Sequence, residues 1–282
     1  MTRVSKERQG IQSIEVGFRL LHILAQARRP MMLRDLAAAA EMPAAKAHRY
    51  LVSFMRTGLV EQDGATGRYD LGGFTLELGL SSLGRLDPVR YAGPYLEELC
   101  EKIRQSVALA VWGNRGATIV RIIDTGDHIA INLRAGNVLP TIKSATGKLF
   151  AAYLRSPNVR QVVQEELHAA ATDTKVAVTT LRRQLEQSLT EIRARGMSRA
   201  VGALTAGING FSAPVFDHTG TIVAAITSLG SVGEFNVEWD SPFAKATKET
   251  ALALSKRLGY GAIAVAAAKE DSGAPARNRT RA

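Results

Sequence analysis

The sequence predicts an α+β chain in two parts: a winged helix-turn-helix head, then one antiparallel sheet flanked by helices. Three observations predict it. Residues 33–71 run as short helix, tight break, basic helix and hairpin. Beyond residue 106 the pattern changes to Val- and Ile-rich segments separated by Gly, Asn and Asp turns. Those segments come in groups with helical stretches between them, which favours an antiparallel sheet over a doubly wound one. A chain of 282 residues can fill two modest cores. Its 46% hydrophobic and 22% charged fractions are globular values, which argue against a disordered or fibrous chain.

Residues 1–12 read as a flexible basic arm without the apolar run of a secretion signal. The head is expected over 13–73. Ser13 is the expected N-cap of a first helix, in which Val16, Leu20, Ile23 and Leu24 recur at helical spacing. A second helix runs from Leu33 to Glu41, Met42-Pro43 breaks it, and a third extends from Ala44 to about Thr57. After Gly58, the extended pieces Leu59–Asp63 and Arg68–Leu71 form a hairpin closed by Gly72-Gly73. Leu36, Leu51, Phe54 and Leu59 supply a small shared core.

Residues 74–88 read as a linker helix, and Asp87-Pro88 starts a long amphipathic helix to Gln105. The second domain is expected over 89–260. Its strands are 107–112, 117–123, 129–134, 210–216 and 222–229, the last two joined by the turn Asp217-His218-Thr219-Gly220. Its helices are 144–154, 159–167, 179–195 and 242–258. Residues 261–282 form a polar tail, expected to be disordered.

The formal charge of +10 favours an anionic partner, nucleic acid before membrane surface. Residues 1–73 hold 11 Lys/Arg against 7 Asp/Glu, so the excess is spread along the chain. No apolar stretch is long enough to cross a bilayer, and a cytoplasmic protein is expected. The single cysteine, Cys100, sits in the acidic helical setting Glu97-Glu98-Leu99-Cys100-Glu101 and reads as a packing residue.

A recognition helix needs a short polar first turn that reaches base edges and phosphates in the major groove. Here that turn is Pro43-Ala44-Ala45-Lys46-Ala47-His48-Arg49-Tyr50. Lys46 and Arg49 lie three apart on one helical face, with His48 and Tyr50 beside them. Ala44 and Ala45 allow close approach or contact with a thymine methyl, and Arg68 on the hairpin suits a backbone or minor-groove contact. Taken alone, the pair Lys46 and Arg49 would read as a solvated face. Within this order of elements it reads as a surface for double-stranded DNA.

Residues 13–260 resemble the IclR family of bacterial transcriptional regulators. The resemblance rests on Leu36-Ala37, Pro43, His48-Arg49 and Gly67–Gly72 in the head. In the second domain it rests on Leu139-Pro140, Ala145-Thr146-Gly147-Lys148 and Ala213–Asp217. Each piece is short, and their order and spacing make the match. The family usually carries Ser or Thr in the first turn of the recognition helix, where this chain has Ala45 and Lys46. That departure bears on which operator is read. The resemblance implies a GAF-like second domain that binds a small organic effector.

The effector-site expectation has one part that stands on residues alone. Ser144-Ala145-Thr146-Gly147 precedes an apolar helix, and a helix start with unpaired amides suits a carboxylate. Ser144 reads equally well as an ordinary N-cap. The resemblance adds Ile208, Asn209, Gly210, Phe211 and Ser212 on the facing wall, with Thr227 and Leu229 from the next strand. It also matches Ala200 and Gly210 to positions where several relatives carry an acid and a cysteine, with Arg199 adjacent. Arg199 and the room at Gly210 imply a more anionic or bulkier ligand, an aromatic carboxylate above others.

No catalytic or metal site is expected, and no cofactor. The histidines are scattered, with no HExxH and no Gly-x-Ser-x-Gly elbow. A phosphate-loop reading of Gly147-Lys148 fails because Ile142 stands where the first glycine is needed and Leu149 where the Ser or Thr is needed. The expectation is a ligand-responsive regulator, a homodimer or dimer of dimers on a pseudo-palindromic operator. Its rivals are an architectural DNA-binding dimer without an effector and, behind that, a small-molecule enzyme.

Overall fold

The computed structural model describes residues 10–124, 133–202 and 207–261. The expected arm, the tail and most of the expected strand at 129–134 lie outside them. The chain divides into two compact units, one ending at Leu86 and the other starting at Asp87.

The first unit holds α1 (Gln12–Ala27), α2 (Leu33–Ala39), α3 (Ala44–Arg56), β1 (Val60–Gln62), β2 (Tyr69–Leu71) and α4 (Gly73–Leu83). Helix α1 starts one residue before the expected cap: Ile11 is its N-cap and no side chain caps it, so Ser13 sits inside the first turn. Leu20 and Leu24 of α1 bury against Leu36, Ala47, Leu51, Val60 and Tyr69. Each leucine so buried contributes about 1.5–3 kcal/mol. Gly17 is required by this packing, since a Cβ there would fall 2.9 Å from the Tyr50 ring and 3.0 Å from Phe54. The hairpin β1–β2 pairs Val60 with Leu71 and Gln62 with Tyr69. Tyr69 also bridges Met31, so the wing gains a third edge that the sequence reading lacks.

The second unit holds α5 (Pro88–Ile103), β3 (Ser106–Gly113), β4 (Gly116–Ile123), β5 (Val138–Leu139), α6 (Ala145–Tyr153), α7 (Pro157–Thr174) and α8 (Val178–Arg195). After these come β6 (Ser198–Val201), β7 (Ile208–Phe216), β8 (Ile222–Ser231) and α9 (Pro242–Arg257). Asp87 caps α5 by accepting from the Val89 and Arg90 amides, with Pro88 in the first turn. The strands form one antiparallel sheet in the order β5-β4-β3-β8-β7-β6. Helices α5 and α9 pack on one face, and α6 lies on the other with α7 and α8 packed against it.

Strand register assigns every side chain to a face. Ser212 pairs with Thr227 and Gly210 with Leu229 across β7 and β8, Ala108 pairs with Thr227 across β3 and β8, and Ala200 pairs with Gly210 across β6 and β7. These residues share the α6 face. Arg199 pairs with Phe211, one step out of phase, so both share the α9 face with Asn209.

Candidate functional site

Two places in the chain carry functional geometry. The first is the start of α3. Its N-cap is Pro43, which offers no side-chain acceptor, and the Lys46 and Ala47 amides return to the Pro43 carbonyl at 2.9 and 3.0 Å. No acceptor among the described residues takes the Ala44 or Ala45 amide, and no acid sits in the first turn. Ala47 and Leu51 turn inward, which leaves Ala44, Ala45, Lys46, His48 and Arg49 exposed along the outer face. Neither Lys46 nor Arg49 has a carboxylate partner among the described residues. Unpaired amides at the positive end of a helix, followed by free cations, attract phosphate. Tyr50 is only half exposed because its ring lies over Gly17 of α1.

On the wing, the Asp63 carboxylate accepts from the Ala65 and Thr66 amides at 3.0 and 2.6 Å and from the Thr66 hydroxyl at 2.8 Å. These bonds, the Thr66 amide foremost, hold its pKa below the usual aspartate value. The acid of the wing is thus occupied by its own turn. Arg68 is exposed and leans back, its guanidinium donating to the Pro30 carbonyl at 3.4 Å. Arg29, also exposed, is carried on the strand-like segment that Met31 ties to Tyr69 through bonds of 2.9 and 2.8 Å. The sequence reading missed Arg29 because nothing local marks residues 29–31 as part of the wing.

The second place is a cavity of about 60 Å³ between α6 and the sheet. That is roughly four times the room one water requires. Its walls are Ala108, Ala110, Ile119, Leu133, Leu139, Ala200, Ile208, Gly210 and Leu229, with Ser144, Ala145 and Thr146 at one end and Thr227 beside them. Ser144 caps α6: its hydroxyl accepts from the Gly147 amide at 2.9 Å and donates to the Pro140 carbonyl at 2.7 Å. Its hydrogen is therefore committed within the protein. The Ala145 and Thr146 amides are buried, and no acceptor among the described residues takes them. Thr146 is 2% exposed, and its hydroxyl lies 2.9 Å from that of Thr227.

The geometry brings together Ser144, Ala145, Thr146, Ile208, Gly210, Thr227 and Leu229 around this cavity. Others of the expected set stand elsewhere. Gly147 does not line it: a Cβ there would meet the Thr141 Cα at 2.5 Å, so its role is close packing on the preceding turn. Phe211 points to the opposite face, against Phe235 and Trp239. Arg199 is on that face too, with its guanidinium 4.5 Å above the Trp239 ring and donating to the Val237 carbonyl at 2.9 Å. Asn209 contributes wall, but its side-chain amide donates to the Phe235 carbonyl at 3.1 Å on the far side. The expectation that Arg199 and Phe211 shape the ligand therefore fails on strand parity.

One supporting residue was not anticipated. The Glu166 carboxylate on α7 accepts from the Thr141 and Ile142 amides at 2.8 and 2.9 Å, fixing the turn that leads into α6. Ser212 is fully buried and bonds Thr227 at 2.9 Å. Glu166 has no local sequence signal, since it acts through a tertiary contact, whereas Ser212 was expected on this wall. Cys100 is buried, and burial, then Asp124 and Glu101, push its thiol pKa up, which fits a packing role. Among the described residues no cluster of His, Cys, Asp or Glu could hold a metal, and no helix is long and apolar enough to cross a membrane.

Comparison with known proteins fits this geometry. Residues 13–64 match the model of the IclR helix-turn-helix domain, and residues 80–256 match that of the bacterial transcriptional regulator IclR C-terminal domain. The glycerol operon regulatory protein of Streptomyces coelicolor is 30% identical over 259 residues, covering 90% of this chain and 98% of the relative. The crystal structure of Pseudomonas aeruginosa HmgR superposes with a TM-score of 0.80 at 36% identity, over 89% of this chain and 99% of that one. An IclR homologue from Microbacterium hydrocarbonoxydans, solved with 4-hydroxybenzoate, shares the fold. It shows a TM-score of 0.50 at 21% identity, over 87% of this chain and 98% of its own. With a helix-turn-helix head, a helix-flanked antiparallel sheet and family models that together match most of its length, the chain belongs to the IclR family of bacterial transcriptional regulators.

Proposed function

We propose that the protein binds a pseudo-palindromic operator as a homodimer, or as a dimer of dimers, through α3 and the wing. Occupancy of the α6 cavity by a small organic acid then modulates that binding. The observation that carries the reading is the polar end of the cavity, where two buried amides without acceptors meet an otherwise apolar chamber. Desolvated donors of this kind favour an anionic oxygen. The homologue solved with 4-hydroxybenzoate supports an aromatic acid as one form of the ligand.

For the head, exposed Ala44, Ala45, Lys46, His48 and Arg49 form the reading surface, with Tyr50 at its margin. Arg68 and Arg29 supply backbone contacts from the wing. One head gives too few contacts for specificity, so two heads on a two-fold axis read two half-sites. The architectural alternative would be favoured by a chamber filled with side chains, and this chamber is open.

Ligand control requires that the acid prefer one arrangement of the heads over another. By reciprocity, DNA and acid must then change each other's affinity by the same factor. The test measures binding of a carboxylic acid hit by calorimetry, with and without operator duplex. A shift of about 5–150-fold is expected. Equal affinities would remove the effector from control of DNA binding.

A further inference from the structure

The cavity at α6 has a property that follows from its charges and hydrogens, and it rests on the acid-binding reading above. None of its described lining residues is charged. Lys148 is set about 200° round the helix from Thr146, and burial lowers its pKa. Among the described lining residues, an anion in the cavity therefore meets hydrogen-bond donors and no cation.

Those donors can be counted. The Ala145 and Thr146 amides supply two. The third comes from a chain of three hydroxyls, Thr146, Thr227 and Ser212, linked by two bonds of 2.9 Å each. Three hydroxyls carry three hydrogens, and two bonds consume two. Ser212 is fully buried, and Thr227 is its only side-chain partner among the described residues. Its cross-strand neighbour Ser198 makes no side-chain hydrogen bond at all among them. A hydrogen left at Ser212 would be buried without an acceptor, at a cost of about 1–3 kcal/mol. Ser212 therefore donates to Thr227, and the surplus hydrogen emerges at Thr146 or Thr227, both of which line the cavity.

We infer that this cavity selects monocarboxylates with an apolar body, and that Ser212 is a positioning residue that turns the hydroxyl donor towards the ligand. One carboxylate offers enough lone pairs for all three donors. A second carboxylate would face the alanine, leucine and isoleucine walls, where no described lining residue offers it a charged partner, and burying an unpaired charge is prohibitive. An alcohol offers a hydrogen where the cavity already presents one.

The test compares matched ligands on the full-length protein by calorimetry: benzoate, terephthalate and benzyl alcohol, and butyrate, succinate and butanol. Monocarboxylates are expected to bind at least about a hundredfold more tightly than their dicarboxylate counterparts. Thr146→Val combined with Thr227→Val should weaken the acids about tenfold, because either threonine alone still presents the surplus hydrogen, and the matching double serine variant should restore them. Ser212→Ala should lower the preference for acid over alcohol, because Thr227 is then free to turn its hydrogen elsewhere. A purely structural role for Ser212 would weaken both ligands alike. Dicarboxylates binding as well as monocarboxylates would overturn the selectivity. A Ser212→Ala variant with unchanged acid-to-alcohol preference would overturn the positioning role. If no acid on either skeleton binds the wild-type protein, the acid-binding reading falls with them.

Discussion

Arg49 is the residue on which the reading surface can be tested most directly. It is exposed on α3 without a carboxylate partner among the described residues, one helical turn beyond the amides of Ala44 and Ala45. If it reads a base, Arg49→Ala should weaken operator binding by about 1–3 kcal/mol and relax specificity at one position. Arg160→Ala on α7 changes net charge equally and should leave binding unchanged. Fluorescence anisotropy at fixed salt compares the two variants, and equal losses would reduce Arg49 to a contributor of bulk charge. The residue scale is also where sequence reading divides cleanly. Lys46, His48 and Arg49 were legible because a surface helix alternates buried and exposed positions, and Ala47 and Leu51 mark its inner face. Phe211 stands on the face away from the cavity, which its sequence does not reveal because β7 is buried on both faces from Asn209 to Val215, and Arg199 on β6 follows it by pairing. A strand with no wet face has no polar–apolar alternation from which to take its phase.

At the level of elements, long periodic helices and the α2–break–α3–hairpin order were legible, whereas β5 and β6 were not. They have two and four residues respectively, too few for a period to appear. The wing hairpin was anticipated, but the stabiliser of its turn was not. Asp63 acts as that stabiliser by receiving three hydrogen bonds within three residues of itself. These bonds favour the carboxylate, so its pKa in the folded wing lies below the value of about 3.9 for a free aspartate. A carboxyl group with a depressed folded pKa stabilises its surroundings fully above the free value. That contribution is lost as pH falls through the lowered value. The wing turn should therefore stay closed at pH 5 and loosen only in stronger acid. The Thr66 amide proton, followed by NMR, should titrate with a midpoint below about 3.9. A midpoint at or above that value would mean the turn does not hold the charge.

For the whole molecule, the decisive element is α4, which contributes no buried residue to its own unit. Leu76 and Leu80 are 65% and 59% exposed, with Phe74, Leu78 and Leu83 also open to solvent. Isolated apolar side chains on a surface need no explanation, but Leu76, Leu80 and Leu83 fall within about 60° on one side of α4 and form a patch of the kind that marks an interface, with Phe74 and Leu78 on the other side. A second copy of the chain fits the two-fold pairing of heads proposed above, since a self-complementary patch closes after one partner. Leu76→Asp with Leu80→Asp places two charges on that face without touching the core of the head. The fold of the variant should survive, as judged by an unchanged far-ultraviolet spectrum. Sedimentation should then report a smaller species than wild type. Operator affinity should fall by a factor on the order of 10²–10⁴, because two linked half-site contacts become two independent ones. If the variant sediments as wild type and still binds operator, α4 is not the dimer element. The exposed leucines would then need another partner.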